Sequence, residues 1–234
     1  MKIDDFGIPY FNESDKGKQI FHTLPKSRYK KTTNSYFYEL LTLKDYIIKY
    51  SKKEIPKDEY LNMLKIFKDT KEKITLTDFP IGYYEEGNIF KGTIIPYYPN
   101  SISLLQTTEN RTLADLKKHY YHDDDNLHNL YVLLNNILDI LEELQNNGIS
   151  YLDSNPSNFL IKDNKIKLID FEPKYLYYGL NNKNICATLL RFDDLVFFLH
   201  LNFKLDDLAI HQAKNFKAMR KHLVKLENKM RKKR

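Results

Sequence analysis

The sequence predicts an α+β protein, with short strands gathered in its first part and helices dominating the rest. Three stretches carry that reading. Residues 74 to 98 form apolar runs punctuated by Gly and Pro, as strands and turns do. Residues 127 to 144 repeat apolar side chains at helical spacing. Residues 159 to 170 form two short apolar runs around Asp163-Asn164, which reads as a β-hairpin.

The elements follow in order. Phe6 to Phe11 and Gln19 to Leu24 read as short strands on either side of a turn at Asn12 to Gly17. From Ser35 to Lys49, Phe37, Leu40, Leu41, Ile47 and Ile48 share one face at three- and four-residue spacing, which predicts a helix. Pro56 opens a second helix, Lys57 to Phe67, with Leu61, Leu64 and Phe67 on one side. Ile74 to Leu76 and Phe79 to Gly82 read as strands, and Glu85 to Asn88 as a turn. Ile89 to Ile95 follows as a strand closed by Pro96-Tyr97-Tyr98-Pro99. Thr112 is a candidate N-cap for a helix to Tyr121. Leu127, Leu130, Tyr131, Leu134, Ile137, Leu138, Leu141 and Leu144 make one stripe over about five turns. Asp123-Asp124-Asp125 suits that helix's start, and Gly148 its stop. Ala187 to Phe203 is apolar and helical in pattern, interrupted by Asp193-Asp194.

Composition narrows the function classes. The chain has 234 residues, 42% hydrophobic and 29% charged, enough for one domain or a two-lobed unit. Its single cysteine, Cys186, excludes an internal disulfide and a Cys-based zinc site. No apolar stretch approaches the roughly 20 residues of a membrane span. The start, MKIDDFGIPYF, lacks the apolar segment of a secretory signal, so a cytoplasmic location is expected. The seven histidines show no metal-ligand spacing, and His200 reads as a core residue. The three aspartates at 123 to 125 lack the spaced ligands and closing glutamate of a calcium loop. Much of the net charge of +6 lies in the final stretch, MRKHLVKLENKMRKKR. That tail reads as a solvated helix end, with contact to an acidic partner as the alternative. Nucleic acid is not expected, because no interleaved aromatic or base-reading motif accompanies the tail.

The chemistry concentrates in GISYLDSNPSNFLIKDNKIKLIDFE, residues 148 to 172. Asp153 and Asn158 sit five residues apart in a Pro-containing loop, and Asp170 ends the hairpin that follows. Folding the hairpin back brings the start of its first strand beside the end of its second. Three oxygen-bearing side chains are therefore expected to converge. Carboxylate and amide oxygens suit a hard cation such as Mg²⁺, which a nucleotide triphosphate requires. Asp153-Ser154-Asn155-Pro156-Ser157-Asn158 resembles the catalytic loop of the protein-kinase-like family, and Leu168-Ile169-Asp170-Phe171-Glu172 resembles the strand leading into its D-F-G.

The resemblance implies a two-lobed fold, with a small antiparallel-sheet N-lobe over residues 1 to 98 and a mainly helical C-lobe over 99 to 234. It implies ATP and Mg²⁺ as cofactors, Asp153 as the base, and Asn158 and Asp170 as metal ligands. The acceptor implied is a Ser or Thr hydroxyl on protein. Pro96, Tyr97 and Tyr98 match the family's nucleotide-edge hinge by order along the chain. Glu39 is the candidate partner of a phosphate-contacting lysine, for which Lys18 is chosen over Lys26, Lys30 and Lys31. Asp194 matches the aspartate that braces the catalytic loop.

Several departures from the family pattern define the alternatives. Gly7 and Gly17 do not form G-x-G-x-x-G. Tyr151-Leu152 replaces His-Arg before the catalytic aspartate, which removes the usual anchor for activation-loop phosphorylation. Asn155 stands where Ser/Thr kinases carry lysine, and Glu172 replaces the glycine of D-F-G. No A-P-E follows. L-I-D-F-E is also similar to small-molecule kinases of the choline and aminoglycoside type, so a small hydroxyl acceptor is the first alternative. A pseudokinase acting as a binding module is the second.

Overall fold

The computed structural model describes residues 1–20, 35–104, 124–162, 165–202 and 214–232. Within these the protein is mixed α+β. The chain divides into two compact units. One comprises Met1–Asn100 with Ile169–Pro173, the other Ser101–Leu168 with Lys174–Arg234. The second entry of the chain into the first unit, at 169–173, has no counterpart in a single division at residue 98.

The first unit is built on a seven-stranded sheet. Its strands are β1 (Lys2–Ile3), β2 (Pro9–Phe11), β3 (Lys16–Ile20), β4 (Ser35–Leu40), β5 (Tyr46–Ser51), β6 (Gly82–Glu86) and β7 (Ile89–Pro96). The order is β1-β2-β6-β7-β5-β4-β3. Only β2 and β6 run parallel; the other neighbours are antiparallel. Gly87 and Asn88 both have positive φ, 55° and 65°, which closes the β6–β7 hairpin in two residues. The 14-residue helix α1 (Lys57–Thr70) follows Pro56, as its sequence predicts. It buries Leu61, Met63, Leu64 and Phe67. The Tyr60 ring of α1 lies 5.3 Å from the Phe90 ring of β7.

The helix expected over Ser35–Lys49 is not there: β4 and β5 occupy it, joined by a tight turn in which Tyr46 N–H donates to Leu43 O at 3.2 Å. Aromatic and β-branched residues crowd this stretch and favour a pleated, half-buried surface. Antiparallel pairing runs from Ser35 opposite Ser51 to Glu39 opposite Ile47. The apolar spacing that mimics a helix comes from residues on two different strands. The expected strand at Ile74 to Leu76 is irregular chain, although Ile74 is buried. Phe21 to Leu24, the Thr112 to Tyr121 helix, the Asp163-Asn164 turn, the side chain of His200, and Lys26, Lys30 and Lys31 lie outside the described residues.

One face of the sheet carries a cluster of Phe11, Leu40, Ile48, Tyr84 and Ile94, with Tyr38, Tyr46 and Tyr50 packed against it. Strand residues alternate between faces. Tyr46, Ile48 and Tyr50 therefore point into this cluster, and Ile47 and Lys49 to the opposite face. Near the cluster, the Lys16 ammonium sits 4.2 Å from the ring centroids of both Tyr38 and Tyr50. It also pairs with Glu86 at 2.8 Å. The hydroxyls of Tyr84 and Tyr50 donate to the same carboxylate at 2.9 and 3.0 Å.

The second unit centres on α2 (Asp124–Asn146). Leu130, Tyr131, Leu134, Ile137, Leu138, Leu141 and Leu144 are all buried, which places the stripe read from the sequence in the core. Gly148, at φ 78°, turns the chain out of the helix. Strand β8 (Ile102–Ser103) pairs with β10 (Phe159–Lys162), which pairs with β11 (Lys165–Leu168). Strand β9 (Ile149–Tyr151) pairs with β12 (Leu176–Tyr178). Helices α3 (Asn182–Asn202) and α4 (Phe216–Lys232) complete the unit. The basic tail is largely α4. It buries Phe216, Met219, Leu223 and Leu226, and Arg220 bridges Asp139 and Glu142 of α2 at 2.8 and 2.6 Å. No helix among the described residues is long and apolar enough to cross a membrane.

Burial alone raises the Glu86 pKa, but the bonds from Lys16, Tyr84 and Tyr50 outweigh it and hold the group below its ordinary value of 4.5. A carboxylate whose folded pKa is depressed contributes stability that is present above the unfolded pKa. That stability is lost as pH falls through the folded value. Urea unfolding at neutral and acid pH is expected to show stability falling below about pH 4.5. Glu86→Gln should remove part of that acid dependence and cost about 1–2 kcal/mol at neutral pH.

Candidate functional site

In the first unit the sheet face opposite the Tyr-rich cluster presents Lys49. Its side chain is only 13% exposed, and its ammonium pairs with the Asp170 carboxylate and, at 3.3 Å, with Glu172. A buried cation needs such partners, because leaving water without them is costly. Burial by itself lowers the Lys49 pKa. Asp170 and Glu172 outweigh that effect and hold the ammonium above its ordinary range. Lys49 therefore stays charged at neutral pH.

Two features place Lys49. Gly92 of β7 faces Tyr50, and a Cβ there would overlap the Lys49 carbonyl oxygen. Glycine lets the two backbones approach. The segment carrying Asp170 and Glu172 is held by Phe171, whose ring lies 5.0 Å from Phe67 and 5.4 Å from Phe79. Those two rings stack on each other at 4.2 Å.

The second unit contains the loop between β9 and β10. Asp153 Oδ1 accepts from the Asn155 N–H at 3.2 Å, and Asn155 Oδ1 accepts from the Ser157 N–H at 3.0 Å, capping a single 3-10 turn at Pro156–Asn158. Leu152 N–H donates to Tyr175 O at 2.9 Å, which ties the loop to the chain entering β12. Asn158 is 5% exposed, and its Nδ2 donates to the Tyr151 hydroxyl at 3.0 Å. That bond commits the amide nitrogen, while Oδ1 receives a long contact from Ser157 Oγ, 3.4 Å. Asp153 and Ser154 line a crevice of about 10 Å³ with Thr188 and Arg191 of α3, the size of one water. Phe159 pairs with Leu168, so Asn158 precedes one strand of the hairpin and Ile169-Asp170 follows the other.

Several residues stand differently from their sequence-based roles. Lys18 is exposed on β3, and it is its backbone N–H that donates to Glu39, at 3.3 Å. Glu39 is exposed on β4 and lies on no helix. The lysine that meets Asp170 is Lys49. Its signal is the run Tyr46-Ile47-Ile48-Lys49, an apolar strand ending in lysine as in V-A-I-K; the helix reading of Ser35–Lys49 hides it. Asp194 is half exposed and pairs with Arg191 at 3.1 Å, so it is not the buried brace. The buried carboxylate is Asp193, 5% exposed, on the α3 face that also buries Leu189, Phe192 and Val196. At the strand end, Tyr97 N–H donates to Asp45 O at 2.8 Å and the Tyr98 hydroxyl to Asp78 at 2.5 Å. Burial, then that bond, pushes the Tyr98 pKa up. Pro96 faces Tyr46 in the ladder.

An open cavity of about 500 Å³ also lies in the first unit, lined by Asp4, Tyr10, Glu13, Lys57, Tyr83 and Glu85 among others. It contains none of the candidate site residues, and three of its four acids are engaged internally. Asp4 accepts from the Phe6 and Ile8 N–H groups, Glu13 from Gly87 N–H, and Glu85 from Lys57. The Lys49 cluster is the better candidate because it gathers a nearly buried cation and two carboxylates from distant parts of the chain. No protein-family model matches the chain, and comparison with curated proteins finds no match either.

Two substitutions test this arrangement. Gly92→Ala is expected to displace β5 and loosen the Lys49 pairing, seen as lowered thermal stability together with increased reactivity of Lys49 toward an amine-acylating reagent. Tyr151→Phe leaves the buried Asn158 amide without its partner and should cost about 1–3 kcal/mol in denaturant unfolding.

Proposed function

We propose that the protein transfers the γ-phosphoryl group of ATP to a hydroxyl, with a protein Ser or Thr as the acceptor. The observation that carries this is the buried Lys49 ammonium held on Asp170, a cation and a carboxylate drawn from the two stretches that resemble V-A-I-K and D-F-G. A protein-kinase-like fold for the first unit belongs to the same proposal. The strand order β3-β4-β5-β7-β6 and the helix between β5 and β6 support it.

The residues divide the work. Lys49 offers fixed positive charge to the triphosphate oxygens. Asp153 orients the acceptor hydroxyl and takes its proton as the acceptor oxygen bonds to phosphorus and the bond to ADP breaks. The donor chemistry fits Mg²⁺: Asp170 supplies a carboxylate, and Asn158 an amide oxygen whose orientation Tyr151 sets. When bound, the cation offsets the charge of the phosphate oxygens. Most of the catalysis asked of such a site is positioning and electrostatics.

Transfer from labelled ATP with Mg²⁺ tests the reading on wild type, Lys49→Met, Asp153→Asn and Asp170→Asn. Label is expected on protein acceptors, with kcat/KM reduced about 100-fold or more in Asp153→Asn. Label confined to small hydroxyl compounds would assign the chain to small-molecule kinases, a reading favoured by Glu172 in L-I-D-F-E. Neither transfer nor Mg²⁺-dependent ATP binding would leave a binding module.

A further inference from the structure

Among the described residues Lys49 has two carboxylate neighbours, and both come from one five-residue segment, Ile169–Pro173. Helix α1, which follows β5, turns its acids elsewhere. Asp58, Glu59 and Asp69 of α1 are all exposed. In the family this chain resembles, the corresponding lysine takes its glutamate from the helix, and moving that helix switches the site.

We infer that Glu172 is the positioning residue for Lys49, standing in for a helix carboxylate, so that the lysine's pairing is not switched by α1. The inference rests on the phosphotransferase reading above and concerns the regulation of that same site. An ammonium carries three donors, so it can serve two carboxylates at once. If Asp170 turns to a cation in the nucleotide complex, Glu172 continues to hold the lysine. Phe171 pins the segment between its two acids, through apolar packing on Phe67 and Phe79. A glutamate in place of glycine also restricts the backbone at the point where a D-F-G segment would swing. Tyr151-Leu152 in place of His-Arg removes a second lever, the arginine that reads a phosphorylated loop. The site so built is constitutively assembled.

The test uses the full chain carrying Glu172→Gln, Glu172→Asp, Asp58→Asn or Glu59→Gln. The Lys49 titration is followed without nucleotide by NMR of the labelled lysine, and ATP kinetics are measured in parallel. Glu172→Gln, close to isosteric, is expected to lower the Lys49 midpoint and raise the KM for ATP about tenfold, with a smaller change in kcat. Glu172→Asp should restore much of the titration, and the two α1 variants should change neither readout. An unchanged Lys49 midpoint in Glu172→Gln overturns the inference, as does a Glu59→Gln shift of equal size. If the wild type transfers no phosphate, the phosphotransferase reading fails, and the nucleotide-free titration still decides who holds Lys49.

Discussion

A lysine ammonium that is 13% exposed sets the terms for the first unit. Taking that charge out of water is tolerable only with carboxylates at hand. The carboxylates are 121 and 123 residues further along the chain. The first unit is therefore completed by a segment that arrives long after the last strand of its sheet. Apolar packing supplies what the ion pairs need in order to be specific. Phe171 lies against the stacked Phe67 and Phe79, which leaves the acids on either side of it little freedom. Gly92 lets the neighbouring strand close on Lys49 from behind.

The second unit solves a different problem. Its loop carries polar side chains that must point in defined directions without a helix or strand to hold them. Short-range bonds do this: Asp153 and Asn155 each close a turn on a backbone N–H two residues ahead. Tyr151 sits at the end of the preceding strand and fixes the Asn158 amide by its hydroxyl. Tyr151 thus has a role of its own, as orienter of Asn158. One unit concentrates charge and the other orients polar groups. Both would serve the proposed phosphoryl transfer, where the protein contributes position and field more than covalent chemistry.

Much of the fold was legible where one periodicity ran without interruption. The α2 stripe over residues 127 to 144 and the helix after Pro56 were of this kind, as was the hairpin ending in Leu168. Misreading occurred where two elements shared a window. Phe37, Leu40, Leu41, Ile47 and Ile48 satisfy helical spacing only if the turn at Leu43 is overlooked. Their β-branched and aromatic neighbours already favoured strands. The helix reading passed over Lys49 in favour of Lys18 and left Glu39 on a helix that does not exist. Asp193 and Asp194 show the finer limit. Adjacent residues on a helix face different ways, and only the packing of Leu189, Phe192 and Val196 decides which carboxylate is buried.

The sequence by itself determined the local pieces: the polar loop Asp153 to Asn158, the strands leading to Asp170, and the long helix before them. Each follows from patterns within about twenty residues, the range over which periodicity and turn chemistry act. Tertiary structure alone decided that Lys49 is the buried cation, that Glu172 joins Asp170 on it, and that Tyr151 holds Asn158. Most of these choices depend on burial and on charges brought together across long stretches of chain. Even the Tyr151 bond, seven residues long in sequence, depends on which side chains its loop turns inward. Desolvation makes such pairings obligatory once formed, but nothing in the local pattern names the partners in advance.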